Sequence, residues 1–400
     1  MSANTMGTLD LGQRYARRAE IIGKSIYDHP PGVTVLSSGL AYPPCLPDVV
    51  REASVAASDF ISESMQYGPL MGLPDLREAI VDFVKEDGVE IGVDNVLVTY
   101  GAKNALDLAC RVYLEPGDRM IVANPSYMTA LQIMRSHGVN FLGISQDDEG
   151  MNTDELEENL KRLRANGERM PKLLFDIPDF HNPTGITMSL ARRQRLIELA
   201  KEYNFIILED DPYRRIRFEG EAIPPLKALD DAGVVVSLGT VSKILAPGLR
   251  LGWAIGDAGI IRRMAMQKAD GGCNPMAQRI VVDLMRSNKM QYHIDEVTAE
   301  MRVHRDAMMD AFAKYLPDAK IRRPNGGYFL WAELPEGSDA ERVAELGIEH
   351  GVEVSTGRLC FAEAGPTNFL RMAYSFVSPE LITEGIKNLG AAYTQYKSQA

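Results

Sequence analysis

Cysteine is scarce and scattered: Cys45, Cys110, Cys273 and Cys360 are the only four in 400 residues, and no two form a Cys-x-x-Cys pair. That spacing argues against a disulfide framework or a zinc site and fits a reducing cytoplasm. Positive charge is also in deficit. A formal net charge of -12 offers no basic face to a phosphate backbone, so nucleic acid is not expected as a partner. No apolar run is long enough to span a bilayer, and the stretch from Met1 to Gly7 lacks the basic-then-apolar layout of a secretory leader. Missing too are His-Glu-x-x-His, Ser-x-x-Lys, Gly-x-Ser-x-Gly and Gly-x-Gly-x-x-Gly, so several catalytic and dinucleotide-binding classes lack a first signal.

What the chain does have is a series of short apolar runs. Seven of them read as buried strands: 95–100, 119–123, 140–144, 172–177, 205–209, 234–238 and 251–255. They are near-continuously apolar, as strands covered on both faces should be, and amphipathic helical patterns lie between many of them. Strand alternating with helix predicts an α/β fold with a large, doubly wound, mostly parallel sheet. After a helical stretch predicted from Met276 through Tyr315, the character changes. A strand from Gly326 to Leu334, a helix near Ala340 to His350 and a strand near Asn368 to Ala373 predict a smaller α+β domain formed from both chain ends. The expected division is 1–55 for the N-terminal segment and part of the small domain, 56–285 for the large domain and 286–400 for the C-terminal small domain; a chain of this length is too long for one ordinary core.

In open α/β sheets ligands bind beyond the carboxyl ends of the strands, and here those ends carry unusual chemistry. The first run ends in Gly101, Ala102 and Lys103 and opens a helix, whose free N–H groups can hold a phosphate; an ordinary glycine turn is the plain alternative. The second leads to Tyr127, an aromatic ring at the same rim. The fourth leads into the turn Asn182-Pro183-Thr184-Gly185, which positions an amide donor. The fifth ends in Glu209, Asp210 and Asp211, followed by Tyr213; three successive carboxylates repel, so at least one is expected to face a cation. A metal site is not supported by any further ligand spacing. The sixth delivers Thr240, Ser242, Lys243 and Arg250. A partly buried lysine beside another cation can be neutral and form a Schiff base. Lysine, carboxylate, phenol, amide, aromatic face and phosphate cradle together match pyridoxal 5'-phosphate.

The ordered motifs Tyr67-Gly68-Pro69-x-x-Gly72, Asn124-Pro125-Ser126-Tyr127, Asn182-Pro183-Thr184-Gly185, Asp210-x-x-Tyr213, Ser242-Lys243 with Arg250, and Asn368-x-x-Arg371 span nearly the whole chain. On them the sequence resembles the class I/II aminotransferases of the fold-type I pyridoxal-phosphate enzymes, closest to the 2-aminoadipate, kynurenine and aromatic aminotransferase branch. The resemblance implies transfer of the amino group of an L-amino acid to a 2-oxo acid, with Lys243 as the Schiff-base lysine and mover of the α-proton. It further implies that Asp210 pairs with the pyridine nitrogen, that Tyr213 and Asn182 bind the phenolic oxygen, and that Tyr127 stacks on the ring. Gly101, Ala102, Lys103, Thr240, Ser242 and Arg250 would hold the phosphate, with Tyr67 reaching it from the partner subunit of a homodimer. Arg371 would grip the substrate carboxylate, and Gly39 would line the entrance. The sequence departs from the pattern at Ala102-Lys103, where relatives carry Ser-Gln, and at His181, Val241 and Thr356. Other chemistry on the same scaffold (elimination, decarboxylation, cyclisation or oxidation of an amino acid) and an effector-binding module of a transcription regulator are the alternatives.

Overall fold

The computed structural model describes residues 16–20 and 28–399. Fourteen strands are formed among them: β1 Thr34–Val35, β2 Val96–Thr99, β3 Arg119–Asn124, β4 Asn140–Asp147, β5 Gly150–Met151, β6 Leu173–Asp176, β7 Ile206–Asp211, β8 Val235–Thr240, β9 Gly252–Ile255, β10 Lys320–Ile321, β11 Phe329–Glu333, β12 Val352–Glu353, β13 Ser355–Thr356 and β14 Phe369–Ala373. Eight make one sheet in the order β2-β9-β8-β7-β6-β3-β4-β5. All seven strands expected from the apolar runs are present in it. The five from β8 to β4 pair in parallel, while β9 runs antiparallel between β2 and β8, and β5 closes the far edge as an antiparallel turnback. Strands β2, β6, β8 and β9 are buried at every position, which is why they read as unbroken apolar runs.

This topology gathers chemistry at one rim. The carboxyl ends of β3, β6, β7 and β8 point the same way, and β9, running back, begins at that rim with Arg250 just before it. The helix Ala102–Tyr113 starts there as well, directly after β2 and Gly101.

A smaller domain is assembled from the N- and C-terminal parts of the chain. Its four-stranded sheet has the order β10-β11-β14-β13, and β1 pairs in parallel with β12. Residue Arg371 of β14 lies opposite both Trp331 and Ser355, so the central strand carries it between two neighbours. The long helix Pro379–Gln399 buries Ile382, Ile386 and Leu389 beneath this domain.

One expectation is corrected. The helical stretch from Met276 through Tyr315 is two helices, Pro275–Arg286 and Lys289–Tyr315. Asn288, with φ of 57°, breaks them; asparagine tolerates this left-handed conformation better than most residues, and no proline or glycine marks the break. No described helix is long and apolar enough to cross a membrane, and the described residues include no group of three or more His, Cys, Asp or Glu side chains able to hold a metal ion.

Candidate active site

Lys243 lies three residues beyond the end of β8. Its Nζ donates to Gly39 O at 2.6 Å, and its own carbonyl accepts from Tyr328 Oη at 2.7 Å, so both ends of the residue are held by the smaller domain's side of the cleft. Burial pushes the amine down to about 8, assisted by the nearby charges of Lys103 and Arg371 and opposed by Asp210. A substantial neutral fraction therefore exists near neutral pH, as covalent capture of a carbonyl requires.

Asp210 of β7 is 7% exposed. Burial, then the like charge of Asp211, pushes its carboxyl up to about 7, while Lys243 and Lys103 act in the other direction. Its Oδ1 is buried and has no hydrogen-bond partner among the described residues. Such an atom is costly unless a ligand meets it. The two other carboxylates of the run have separate tasks. Glu209 accepts from the backbone N–H of Leu226 at 2.6 Å and of Lys227 at 3.2 Å, and Asp211 ion-pairs with Arg214. In the sequence only the motif Asp210-x-x-Tyr213 singles out one of the three; composition and order along the strand do not.

Tyr213 is buried between Tyr328 and Phe329, with ring centroids 5.7 and 5.9 Å away, and burial holds its phenol well above its usual range. It stays protonated and can donate. Asn182 is also buried, and its Oδ1 accepts from Arg371 Nε at 3.0 Å, which leaves the amide as the free donor. Arg371 itself is 3% exposed, lies 4.2 Å over the Phe329 ring and donates from Nη1 to Ser37 O at 3.1 Å. Tyr127 is half-buried and close enough to Tyr213 and Arg371 to act on both electrostatically.

The close approach at the helix start is made by glycine. Gly101, with φ of 86°, precedes the helix Ala102–Tyr113, and a Cβ there would sit 3.7 Å from Thr240 Oγ1 and 3.8 Å from Arg250 Nη2. A Cβ on Gly252 would come within 2.6 Å of Gly101 Cα and 2.5 Å of Gly239 O, so only glycine lets β8, β9 and the helix start approach this closely. Ser242 N–H donates to Thr240 Oγ1 at 3.1 Å, and Arg250 Nη2 donates to Tyr100 O at 3.3 Å. Backbone N–H groups at a helix start, two hydroxyls and a guanidinium are a suitable set for a phosphate dianion. Lys103, exposed in the first helical turn, adds a second cation.

Tyr67 and His181 lie apart from the Lys243 cluster within one chain. Tyr67 is 84% exposed and packs beside Gly271; no hydrogen bond among the described residues joins it to the Lys243 cluster within one chain. His181 is buried beneath the Asn182 turn, 3.0 Å from Thr184 Oγ1, and burial lowers its imidazole to about 3. It is neutral and faces the interior, as does fully buried Val241. Tyr328 and Ser37 were missed by sequence reasoning: the first reads as one more position of an apolar strand, and the second contributes only a backbone carbonyl.

A deep lysine facing an unpartnered carboxylate at the rim of an α/β sheet defines a pyridoxal-phosphate site. The pattern of the family "Aminotransferase class I and II" matches residues 31–389, so the chain belongs to that family. It is 38% identical to aromatic-amino-acid aminotransferase 1 of Thermococcus litoralis, over 89% of this chain and 87% of that protein. To the 2-aminoadipate transaminase of Thermus thermophilus it is 34% identical, over 90% of each chain. Its fold matches a crystal structure of Pyrococcus horikoshii kynurenine aminotransferase, determined with PMP and kynurenine, with a TM-score of 0.91 and 35% identity, covering 96% of this chain and 98% of that one. The protein is a pyridoxal-phosphate-dependent aminotransferase that moves an amino group between an amino acid and a 2-oxo acid.

Proposed function

We propose that Lys243 would hold pyridoxal phosphate through its Nζ and that the same amine, once free, takes the substrate's α-proton as a general base. The observation that carries this reading is a Lys243 amine lowered to about 8 that lies within electrostatic reach of Asp210, whose buried Oδ1 has no hydrogen-bond partner among the described residues. When bound, the cofactor supplies an aldehyde for condensation with amines and a ring that accepts electrons.

The remaining residues bind and orient. Asp210 would serve as the anion for the ring nitrogen, Tyr213 Oη and the Asn182 amide would donate to the phenolic oxygen, and Tyr127 would cover the ring face. Gly101, Ala102 and Lys103 with Thr240, Ser242 and Arg250 hold the phosphate. Arg371 binds the substrate carboxylate with its guanidinium fork, preset by Asn182 and Ser37, and Gly39 lines the entrance. Orientation by Arg371 decides which bond at the α-carbon faces Lys243. The exposed side chains Ile61, Met65, Tyr67 and Met266 support a homodimer in which Tyr67 completes the partner's phosphate site. The break at Asn288 supports a domain boundary near residue 285, with 56–285 as the large domain and 1–55 and 286–400 forming the small one. Four free cysteines support a cytoplasmic location.

The test mixes reconstituted holoenzyme with a panel of amino acids, follows the visible absorbance of the bound cofactor and identifies products by mass. Lys243→Ala should abolish turnover and the lysine-dependent absorbance. Normal turnover by that variant would overturn the reading.

A further inference from the structure

The two carboxylates at the end of β7 face different surroundings. Consecutive strand residues point to opposite faces. Asp210 faces Lys243 and Lys103, whereas Asp211 ion-pairs with Arg214 and, together with Phe83, Asp87, Thr240 and Trp253, the pair lines a cavity of about 30 Å3. The Arg214 side chain is 11% exposed. Its other carboxylate neighbour, Asp87, is 3.6 Å away and is itself engaged by Arg215 at 2.7 Å. Asp211 is therefore the chief counter-charge of Arg214. Arg214 Nη2 donates to Asp211 Oδ2, while Arg214 Nε and Nη1 and Asp211 Oδ1 have no hydrogen-bond partners among the described residues, so this one charge-assisted contact is what chiefly holds the two side chains at the cavity wall.

Carboxylates and cations alternate through the rest of this region. Glu209, buried beside them, is pushed up to about 7, by burial first and by Asp211 next. Asp179 is buried between Arg193 at 3.0 Å and Arg217 at 3.1 Å, and Lys227 on the cavity wall is taken by Asp230 at 2.8 Å. These cations are committed, which leaves Arg214 to balance Asp211. An uncompensated Asp211 next to Asp210 would push Asp210 toward its protonated form, because like charges on neighbouring carboxylates repel.

We propose that Arg214 is a positioning residue for the reaction: from the face of β7 turned away from the cofactor it neutralises Asp211, and so leaves Asp210 as an anion for the ring nitrogen. The inference rests on the reading of Asp210 given above. It assigns a role to a side chain that touches neither substrate nor cofactor.

The experiment uses holoenzyme carrying cofactor labelled with 15N at the ring nitrogen, whose resonance separates the protonated from the unprotonated ring. Wild-type enzyme should show the protonated signal at neutral pH. In Arg214→Met the ratio of protonated to unprotonated ring should fall about tenfold, the effect of one pKa unit, with kcat reduced more than KM is changed. Arg214→Lys should keep the wild-type signal, and Arg214→Met combined with Asp211→Asn should restore it. An unchanged signal in Arg214→Met, or a folded double variant that does not recover it, overturns the proposal. Should Arg214→Met not fold, Arg214→Gln takes its place: its ring signal should move toward the unprotonated form at neutral pH, and an unmoved signal is the contrary result. Asp210→Asn separates the two readings. A ring still protonated in that variant removes Asp210 from its role, whereas loss of the signal there with none in Arg214→Met removes only Arg214.

Discussion

Lys243 Nζ and Gly39 O are joined by a 2.6 Å hydrogen bond across 204 residues of sequence. The bond ties the rim of the large sheet to the segment that continues from β1, the same segment whose Ser37 carbonyl accepts from Arg371. Residues 37–39 thus touch both Lys243 Nζ and the Arg371 guanidinium, in each case through a backbone carbonyl.

Cofactor capture should depend steeply on pH. Lys243 must be neutral and Asp210 ionised, and their values of about 8 and about 7 place both changes in the same direction. Below pH 7 the carboxyl is protonated and the amine charged; above pH 8 both are in the productive form. The rate at which apoprotein takes up pyridoxal phosphate, followed by visible absorbance, is expected to climb through this window and then level off. A flat profile would contradict the assignment.

Arg371→Lys should raise KM for the amino acid. A single ammonium cannot keep the contacts to Asn182 Oδ1 and Ser37 O and also present two parallel donors to a carboxylate. Losing a charge-assisted hydrogen bond costs about 1.5–3 kcal/mol, a drop of roughly 10- to 150-fold in kcat/KM. Steady-state kinetics with one good substrate checks this, and wild-type KM would rule out Arg371 as the anchor.

Gly252→Ala tests the cradle. The added Cβ meets backbone on two sides, Gly239 O at 2.5 Å and Gly101 Cα at 2.6 Å, and neither is a flexible side chain that can swing away. Overpacking of this kind costs about 1–3 kcal/mol. Thermal unfolding should show a lower Tm, and equilibrium dialysis a weaker affinity for pyridoxal phosphate.

Lys103→Gln should weaken cofactor binding, most at low ionic strength, because the lysine is exposed and its field is screened by salt. Unchanged cofactor and substrate affinities at low salt would mean that the cation in place of the usual Ser-Gln pair has no electrostatic task.

Tyr67→Phe probes the second copy. With 84% of Tyr67 exposed, loss of one hydroxyl should leave the circular dichroism of the protein unaltered. Cofactor affinity should nevertheless fall, and sedimentation should show a species of twice the chain mass. A monomeric enzyme with full activity would remove Tyr67 from the site.

Much of this was legible in the sequence, and the reasons are specific. The strands of the large sheet were visible because burial on both faces demands unbroken apolar runs, as in Val96–Thr99 and Val235–Thr240. Strands of two residues, such as β1, β12 and β13, carry no period and could not be seen. The break at Asn288 was hidden because the amphipathic pattern runs on across it, and the residue that turns the chain is one that helices also contain.

By itself the sequence determined that this chain builds a pyridoxal-phosphate site of the aminotransferase class, because Lys243, Asp210, Tyr213, Asn182 and Arg371 stand in ordered motifs whose chemistry has few other uses. Only the tertiary structure decided how each is tuned. Glu209, Asp210 and Asp211 are equivalent as letters, yet one caps a helix, one faces the lysine with a free oxygen and one is balanced by Arg214. The difference arises because a strand turns successive side chains to opposite faces, and because burial and neighbouring charge, which only the folded chain supplies, fix which carboxylate remains an anion.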